Sequence, residues 1–425
     1  MQILKNGFVC EEMTKITHKS GLEIFVMRKD FASAYALFGT RYGSFDNVFT
    51  LEGERVSVPH GIAHFLEHKM FETEDGQDTF ELFSEIGADA NAYTSTDRTV
   101  YLFSCTEDFY SAFEVLIKMV LTPVFTKENV NKEQGIIAQE IKMCEDRPSN
   151  TLHYNLMRAM YEKNPVRIPI AGTVESIARI TPELLYKCYN AFYRMNNMAI
   201  CVCGDVEAEK ILSIVERYIP DEKSEAVVFE ECEDTAAVFE PVIRAEAEIA
   251  KPLFSIGIKL CEADNESSPA LAVLCEALFG TSEDFYGEVF ENELVSSYNY
   301  YYEYSRPCSY FEVGGDSLSP DEVLSKVKAL AASVAENGVS REAFERAKRK
   351  VYADTVRNFD SSENIAEEMF ESFLTGESFL DSAERYRYVT YEEVCALAKR
   401  VIAPERIAMS AVYPRQRKDD ENGQQ

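Results

Sequence analysis

Short apolar runs open the chain. Gly21–Arg28 (GLEIFVMR) and Ser33–Arg41 (SAYALFGTR) are rich in branched and aromatic residues and are parted by a charged turn, the pattern of two adjacent strands. From His60 to Phe71 the apolar spacing becomes helical, with Ile62, Phe65, Leu66 and Met70 in one stripe, and helical spacing returns at 78–86, 108–120 and 127–146. Between these helices, Ala90–Cys105 reads as another strand pair turning at Asp97 and Arg98.

Further along, Thr181–Asp205 predicts a capped helix, an Asn-rich turn and an apolar strand. Thr181 stands at the N-cap, Pro182 at the first helical position and Glu183 among the early acids. Thr390–Pro414 repeats that order 209 residues later, and Ser340–Val356 resembles Thr126–Lys142 at an offset of 214. Two matches at nearly one offset predict the duplication of a unit of about two hundred residues in an α+β protein. The expected domains are residues 1–220 and 249–414. They are joined by an acidic linker, 221–248, in which ten acids face two bases, with prolines at Pro220 and Pro241, and in which Ala236–Phe239 could form a strand. Residues 415–425 are polar, without periodicity, and are expected to be a disordered tail.

A length of 425 residues fits two or more domains, and 46% hydrophobic with 27% charged residues is a globular composition. The balance of 43 Lys and Arg against 73 Asp and Glu gives a net charge of −30, which repels nucleic acid and anionic membranes. It serves either as a solvated surface or as an acidic cavity that attracts basic peptides. Eleven cysteines without a CxxC pair indicate neither a disulfide framework nor a zinc ribbon, so a reducing compartment is expected. The first residues, MQILKNGFVCEEMTK, carry acids where a signal peptide is apolar, and no run reaches the roughly 18 apolar residues of a membrane span. The expected location is cytoplasmic.

Chemistry concentrates where histidines are scarce. Two of only five fall in His64-Phe65-Leu66-Glu67-His68, inside an apolar helix. Histidines at i and i+4 leave one face about a turn apart, as two ligands of one cation do, and Glu67 lies beside them within reach of a metal-held water. Such a string arises by chance on the order of once in a hundred chains of this composition. The plain alternative is a pair of satisfied core histidines, but a buried carboxylate beside two imidazoles is costly unless a cation compensates it. A third ligand is needed. Glu133 and Glu140, two turns apart on one helix face beside Ile136 and Ile137, are both candidates on spacing alone, and Cys144 is a weaker one.

HFLEH inverts the HExxH order. Its surroundings, GIAHFLEHKMFE, ADANAYTSTDRTVYLF and NKEQGIIAQEIKMCEDRP, resemble the pitrilysin/insulinase family in the branch of mitochondrial processing peptidase and its bacterial relatives. AGTVESIARITPELLYKCYNAFYRMNNMAICVCGD and FYGEVFENEL extend the likeness over most of the chain. The resemblance implies two homologous α/β sandwich domains forming half of a clamshell, each a mostly antiparallel sheet with helices on one side. It implies one zinc ion per chain, held by His64, His68 and Glu140, with Glu133 as supporting acid and Glu67 as catalytic base. It also implies that Asn91, Ala92, Tyr93 and Thr94 lie on an exposed strand edge beside the zinc, where a substrate peptide adds as a further strand.

One stretch departs from the family. Active relatives complete the site with an arginine and a tyrosine in an Arg-Gly-Leu-Ala-Tyr setting, where this chain has Asn292-Glu293-Leu294-Val295-Ser296. The tyrosines that follow, at 298 and 300–302, read as packing, and the second half has no HxxEH near Leu274–Leu278. The function expected is that of a zinc endopeptidase acting on peptides or short unfolded segments, as a heterodimer with a paralogue that supplies Arg and Tyr, or as a homodimer. A metal- and peptide-binding, non-hydrolytic subunit is the alternative. A carboxylate-bridged redox site is a third reading, but it needs two such motifs and four long helices.

Overall fold

The branched, aromatic runs near the N-terminus form strands, but the two that looked adjacent are not paired. In a computed structural model, which describes residues 1–73, 76–230, 232, 234–260, 268–305 and 308–415, the strands of the first sheet are β1 (Gln2–Asn6), β2 (Glu11–Thr17), β3 (Glu23–Arg28), β4 (Ala34–Thr40), β7 (Ala88–Thr94), β8 (Thr99–Cys105) and β9 (Met198–Gly204). β5 (Val48–Leu51) and β6 (Glu54–Ser57) pair apart from it. The order across the sheet is β1-β2-β3-β9-β4-β8-β7, so β9 separates β3 from β4. All seven residues of β9 are buried, and the most apolar strand takes the centre, where both faces are covered. β3 and β9 are parallel, and every other pair in this sheet is antiparallel.

Helices α1 (Ile62–Lys69), α2 (Thr79–Ile86), α3 (Phe109–Leu121) and α4 (Lys127–Glu145) follow the predicted periodicity within a residue or two. Thr181 caps the helix Pro182–Phe192 by accepting the N–H of Leu184. One face of the sheet (Ile24, Val26, Phe38, Ile200, Val202) shares a core with these helices. The other face (Phe25, Met27, Tyr35, Leu37, Cys201, Cys203) is covered by Ile365, Met369 and Phe370 of the helix Ser362–Thr375.

The second sheet is built from β11 (Val242–Ala247), β12 (Leu253–Leu260), β13 (Ser297–Ser305), β14 (Cys308–Asp316) and β15 (Ile407–Pro414), in the order β11-β15-β12-β14-β13. That is the order β3-β9-β4-β8-β7 of the first sheet, with the same single parallel pair at the same place. The predicted duplication is therefore written in the topology. Phe254, Ile256, Ile258 and Val313 form its core with Leu271, Leu274, Val394 and Leu397, and its other face meets α5 (Pro148–Met160).

The two compact units differ from the contiguous domains expected. The first is Met1–Ile141, Ile168–Glu231 and Tyr352–Arg387; the second is Lys142–Arg167, Cys232–Val351 and Tyr388–Gln425. Each sheet thus borrows, for its second face, a helix from the other half of the sequence. The cause is burial: Leu156, Met157 and Met160 of α5 are fully buried, each contributing about 2 kcal/mol. Glycine permits the approach in both units. A Cβ on Gly39 would lie 2.3 Å from the Phe370 ring, and one on Gly257 would lie 2.5 Å from Met160 Sδ. The acidic stretch 221–248 is also more ordered than a linker. Val228–Phe229 forms β10 against β5, and β11 belongs to the second sheet, whereas 236–239 is not a strand. The expected tail lies, from residue 416 on, outside the described residues. Among the described residues no helix is long and apolar enough to cross a membrane.

Candidate metal centre

Burial of Ile62, Ala63, Phe65 and Leu66 fixes the roll of α1, and that roll presents His64, Glu67 and His68 together. α4 lies opposite. Its apolar stripe, Val130, Ile137 and Ile141, draws Glu133 in with it to 7% exposure, whereas Ile136 stays exposed. Two turns on, Glu140 is more open and faces both histidines. His64 Nε2 lies 3.6 Å from one Glu140 oxygen, and His68 Nε2 lies 3.6 Å from the other. The ligand atoms of the three side chains all fall within 4.8 Å of one another. Ligands about 2.1 Å from one zinc stand roughly 3.4 Å apart in a tetrahedron, so two imidazoles and a carboxylate at this spacing fit that ion. Cys144 is not part of the cluster.

Glu133 stands behind the cluster: His68 Nδ1–H donates to its Oε1 at 3.1 Å, the carboxylate–histidine pairing that at metal sites fixes a histidine's tautomer and orientation. Its other oxygen lies 3.7 Å from Nζ of Lys69. Glu67 is 8% exposed, and the Thr94 hydroxyl donates to its Oε2 at 2.5 Å. Thr94 closes β7, the edge strand of its sheet.

Burial and neighbouring charge set the protonation states. Burial, with His68 alongside, pushes His64 down to about 3, so it is the neutral imidazole a metal requires. Burial raises the Glu67 carboxyl above its ordinary value, against the Thr94 hydrogen bond, which lowers it. For His68, burial acts downward but is outweighed by the hydrogen bond to Glu133 and the charges of Glu67 and Glu140, leaving it raised. Burial acts upward on Glu133, yet His68 and Lys69 hold it below the usual carboxylate range.

Beside the cluster opens a pocket of about 810 Å³, bordered by Glu67, His68, Phe71, Phe80, Asn91 and Ala92. Asn91 Oδ1 accepts the backbone N–H of Ala92. Tyr93 does not border it: by the alternation of the strand its side chain leaves the other face, where its hydroxyl donates to Glu367 at 2.7 Å. In the second unit, Ser296 holds Asp316 and Lys251 where the family pattern has tyrosine. Tyr298, Tyr300 and Tyr301 donate to Phe279 O, Glu276 and Glu312, a packing role. Lys69 escaped the sequence reading, and so did the bond of Thr94 to Glu67. Strand alternation from Ala92 points at Thr94, but nothing in the string marks its partner.

Comparison with known proteins agrees with this architecture. The family model for insulinase (peptidase family M16) matches residues 57–174, and that for the peptidase M16 inactive domain matches 179–351. The uncharacterized zinc protease YmfH of Bacillus subtilis is 36% identical over 411 residues, covering 93% of this chain and 95% of that protein. The crystal structure of an M16-like peptidase from Alicyclobacillus acidocaldarius superposes with a TM-score of 0.92 at 33% identity, covering 97% of this chain and all of the other. The mitochondrial-processing peptidase subunit beta of Caenorhabditis elegans is 22% identical over 395 residues, 83% of this chain and 81% of its own length. With a likeness to zinc proteases running nearly end to end, and a His-His-Glu cluster in the segment that the insulinase description matches, the chain belongs to the insulinase family of peptidases, family M16.

Proposed function

We propose that the chain is a zinc-dependent endopeptidase that cleaves peptides or short unfolded segments inside an enclosed chamber. His64, His68 and Glu140 hold one zinc ion, and Glu67 is the catalytic base. The observation that carries this reading is the placement of Glu67: a nearly buried carboxylate on the same helix face as the histidine ligands, anchored by Thr94 and bordering an open pocket. Zinc held by His64, His68 and Glu140 would supply Lewis acidity, to lower the pKa of water and to polarise a peptide carbonyl. Glu67 takes the proton of the attacking water and returns it to the leaving amine, and its raised pKa suits both transfers. Neutral His64 and the Glu133-held His68 keep their Nε2 atoms turned toward Glu140.

An extended substrate adds to the free edge of β7, with Asn91 and Ala92 at the pocket rim. Tyr93 serves through its main chain, its ring being engaged on the opposite face. The groups missing at Asn292–Ser296 come from a paralogous partner that keeps Arg and Tyr, or from a second copy, and the likeness to a protein named as a beta subunit supports assembly. A cytoplasmic location completes the reading. The same missing pair favours a second reading, a metal- and peptide-binding subunit without hydrolysis.

Zinc content and cleavage of a quenched peptide library, measured for the chain alone and with a candidate paralogue, test both readings. Near one zinc per chain and cleavage abolished by Glu67→Gln, with zinc retained, is the expected result. Zinc without Glu67-dependent cleavage in either setting selects the non-hydrolytic subunit.

A further inference from the structure

Among the largest fully buried side chains is a lysine. Lys69, the last residue of α1, has no exposed side-chain surface, and it directly follows a proposed metal ligand. Burying an ammonium costs several kcal/mol unless its partners are well placed. Two carboxylates surround Nζ: Glu72 Oε1 at 2.5 Å and Glu133 Oε2 at 3.7 Å. Glu72 is steadied from its other side by Asn129 Nδ2, which donates to Oε2 at 2.8 Å. Glu133 is therefore held at both ends, Oε2 toward Lys69 and Oε1 on the His68 ring.

A lysine needed only to close α1 would be satisfied by Glu72, three residues on along the chain. What that contact leaves unexplained is the second carboxylate, which reaches the lysine from a different helix. On the zinc reading above, on which this rests, we infer that Lys69 is a positioning residue for the metal, orienting Glu133 so that Glu133 in turn fixes the His68 ring with Nε2 toward the ion. Two opposing effects must be weighed. An ammonium near a dication repels it, which weakens binding; an oriented carboxylate behind a histidine ligand strengthens it. Glu72 at 2.5 Å cancels most of the lysine's charge as seen from the metal, so the orienting effect dominates.

The test removes the ammonium and its close partner together, Lys69→Met with Glu72→Gln, so that local net charge is unchanged. Zinc dissociation constants are read by chelator competition in the otherwise wild-type chain and in a Glu133→Gln background, with circular dichroism confirming the fold. Loss of a group that orients a metal ligand typically weakens binding by about 10- to 100-fold, which is the expectation with Glu133 intact. In the Glu133→Gln background the same change should cost about twofold or less, because the route through Glu133 is already cut. Unchanged or tighter zinc binding with Glu133 intact, or an equal loss in both backgrounds, overturns the inference. Should the double variant fail to fold, Lys69→Gln with Glu72→Gln, which pairs two amides in the buried site, keeps the local net charge unchanged and falls short of Glu133, carries the same pair of expectations. Absence of zinc binding in the wild-type chain would overturn the zinc reading, and this one with it.

Discussion

The hydrogen bond from Thr94 to Glu67 offers a handle on the proposed catalysis that leaves the proposed metal ligands untouched. The hydroxyl donates to the ionised carboxylate and so lowers its pKa, against the burial that raises it. In Thr94→Val that bond is lost while burial and Glu140 still raise the carboxyl against the His68 charge, so Glu67 holds its proton to higher pH and less of it is available as a base. The acidic limb of the kcat/KM profile should move up by about one pH unit, since a hydrogen bond to a charged group is worth roughly 1.5–3 kcal/mol and each unit is 1.36. A pH–rate profile of the variant in which the limb stays in place would show that Thr94 only packs. His64, Glu67 and His68 were legible in the sequence because their separations of three and four residues are a helix geometry in themselves. Glu140 was not: two turns of α4 made it and Glu133 equal candidates, and only the family resemblance chose between them. Thr94 and Lys69 were not legible, because what each does depends on a partner in another element: Glu67 for the threonine on β7, Glu133 for the lysine on α1.

Helices and sheets were foreseen, but not which helix covers which sheet face. Periodicity marks an amphipathic helix and says nothing of its partner. The helix Ser362–Thr375, from the second half of the chain, lies on β4 and β9, and α5 lies on the second sheet. The repeated helix-turn-strand segments did reveal the duplication, since the strands they end in, β9 and β15, occupy equivalent places. Gly39→Ala and Gly257→Ala probe the borrowed helices. Gly39→Ala should destabilise its unit by about 1–3 kcal/mol because the flat Phe370 ring must move bodily, and Gly257→Ala should cost less because Met160 can bend away. Melting temperatures of the two variants rank them, and the reverse order would contradict the packing described. Ser362–Thr375 also carries a titrating group. Burial, reinforced by Glu371 and opposed by a hydrogen bond from Asn358, pushes Glu368 up to about 7. A carboxyl whose pKa is raised on folding keeps, in the native state, a proton that the unfolded chain releases. Its contribution is therefore whole below its ordinary value of 4.5 and is lost as pH rises through about 7. Glu368→Gln imitates the protonated form. It should melt above wild type at pH 8, by about 2 kcal/mol given the partial exposure of the side chain, and converge with it near pH 5. A constant difference across that range would remove Glu368 as the cause.

At the scale of the whole chain, one duplicated fold has been put to two uses. The first sheet's helices carry the histidines and Glu140, whereas the helix Ser268–Phe279 of the second unit buries Leu271, Leu274 and Leu278 and contributes no residue to that cluster. Over both lies a net charge of −30, which the sequence left divided between a solvated surface and an acidic cavity that attracts basic peptides. The pocket beside the ligands bears on that choice: Glu67, Glu72, Asp78, Glu128 and Glu133 line it, against His68 and Lys132. Carboxylates gathered in a concave wall focus their field outward, which raises the encounter rate of cations, and salt screens that field as the Debye length falls from about 10 Å at 0.1 M to 3 Å at 1 M. Stability and specificity should then respond to salt in opposite senses. Screening relieves the self-repulsion of the acidic chain, so its melting temperature rises with sodium chloride. Screening also removes the attraction for a basic peptide, so kcat/KM for an Arg-rich substrate falls, by about tenfold between 0.05 and 0.5 M, while that for a neutral peptide of the same length stays nearly level. If both substrates kept level rates while the melting temperature rose, the acids would serve solubility alone, and the pocket would select its substrates by shape.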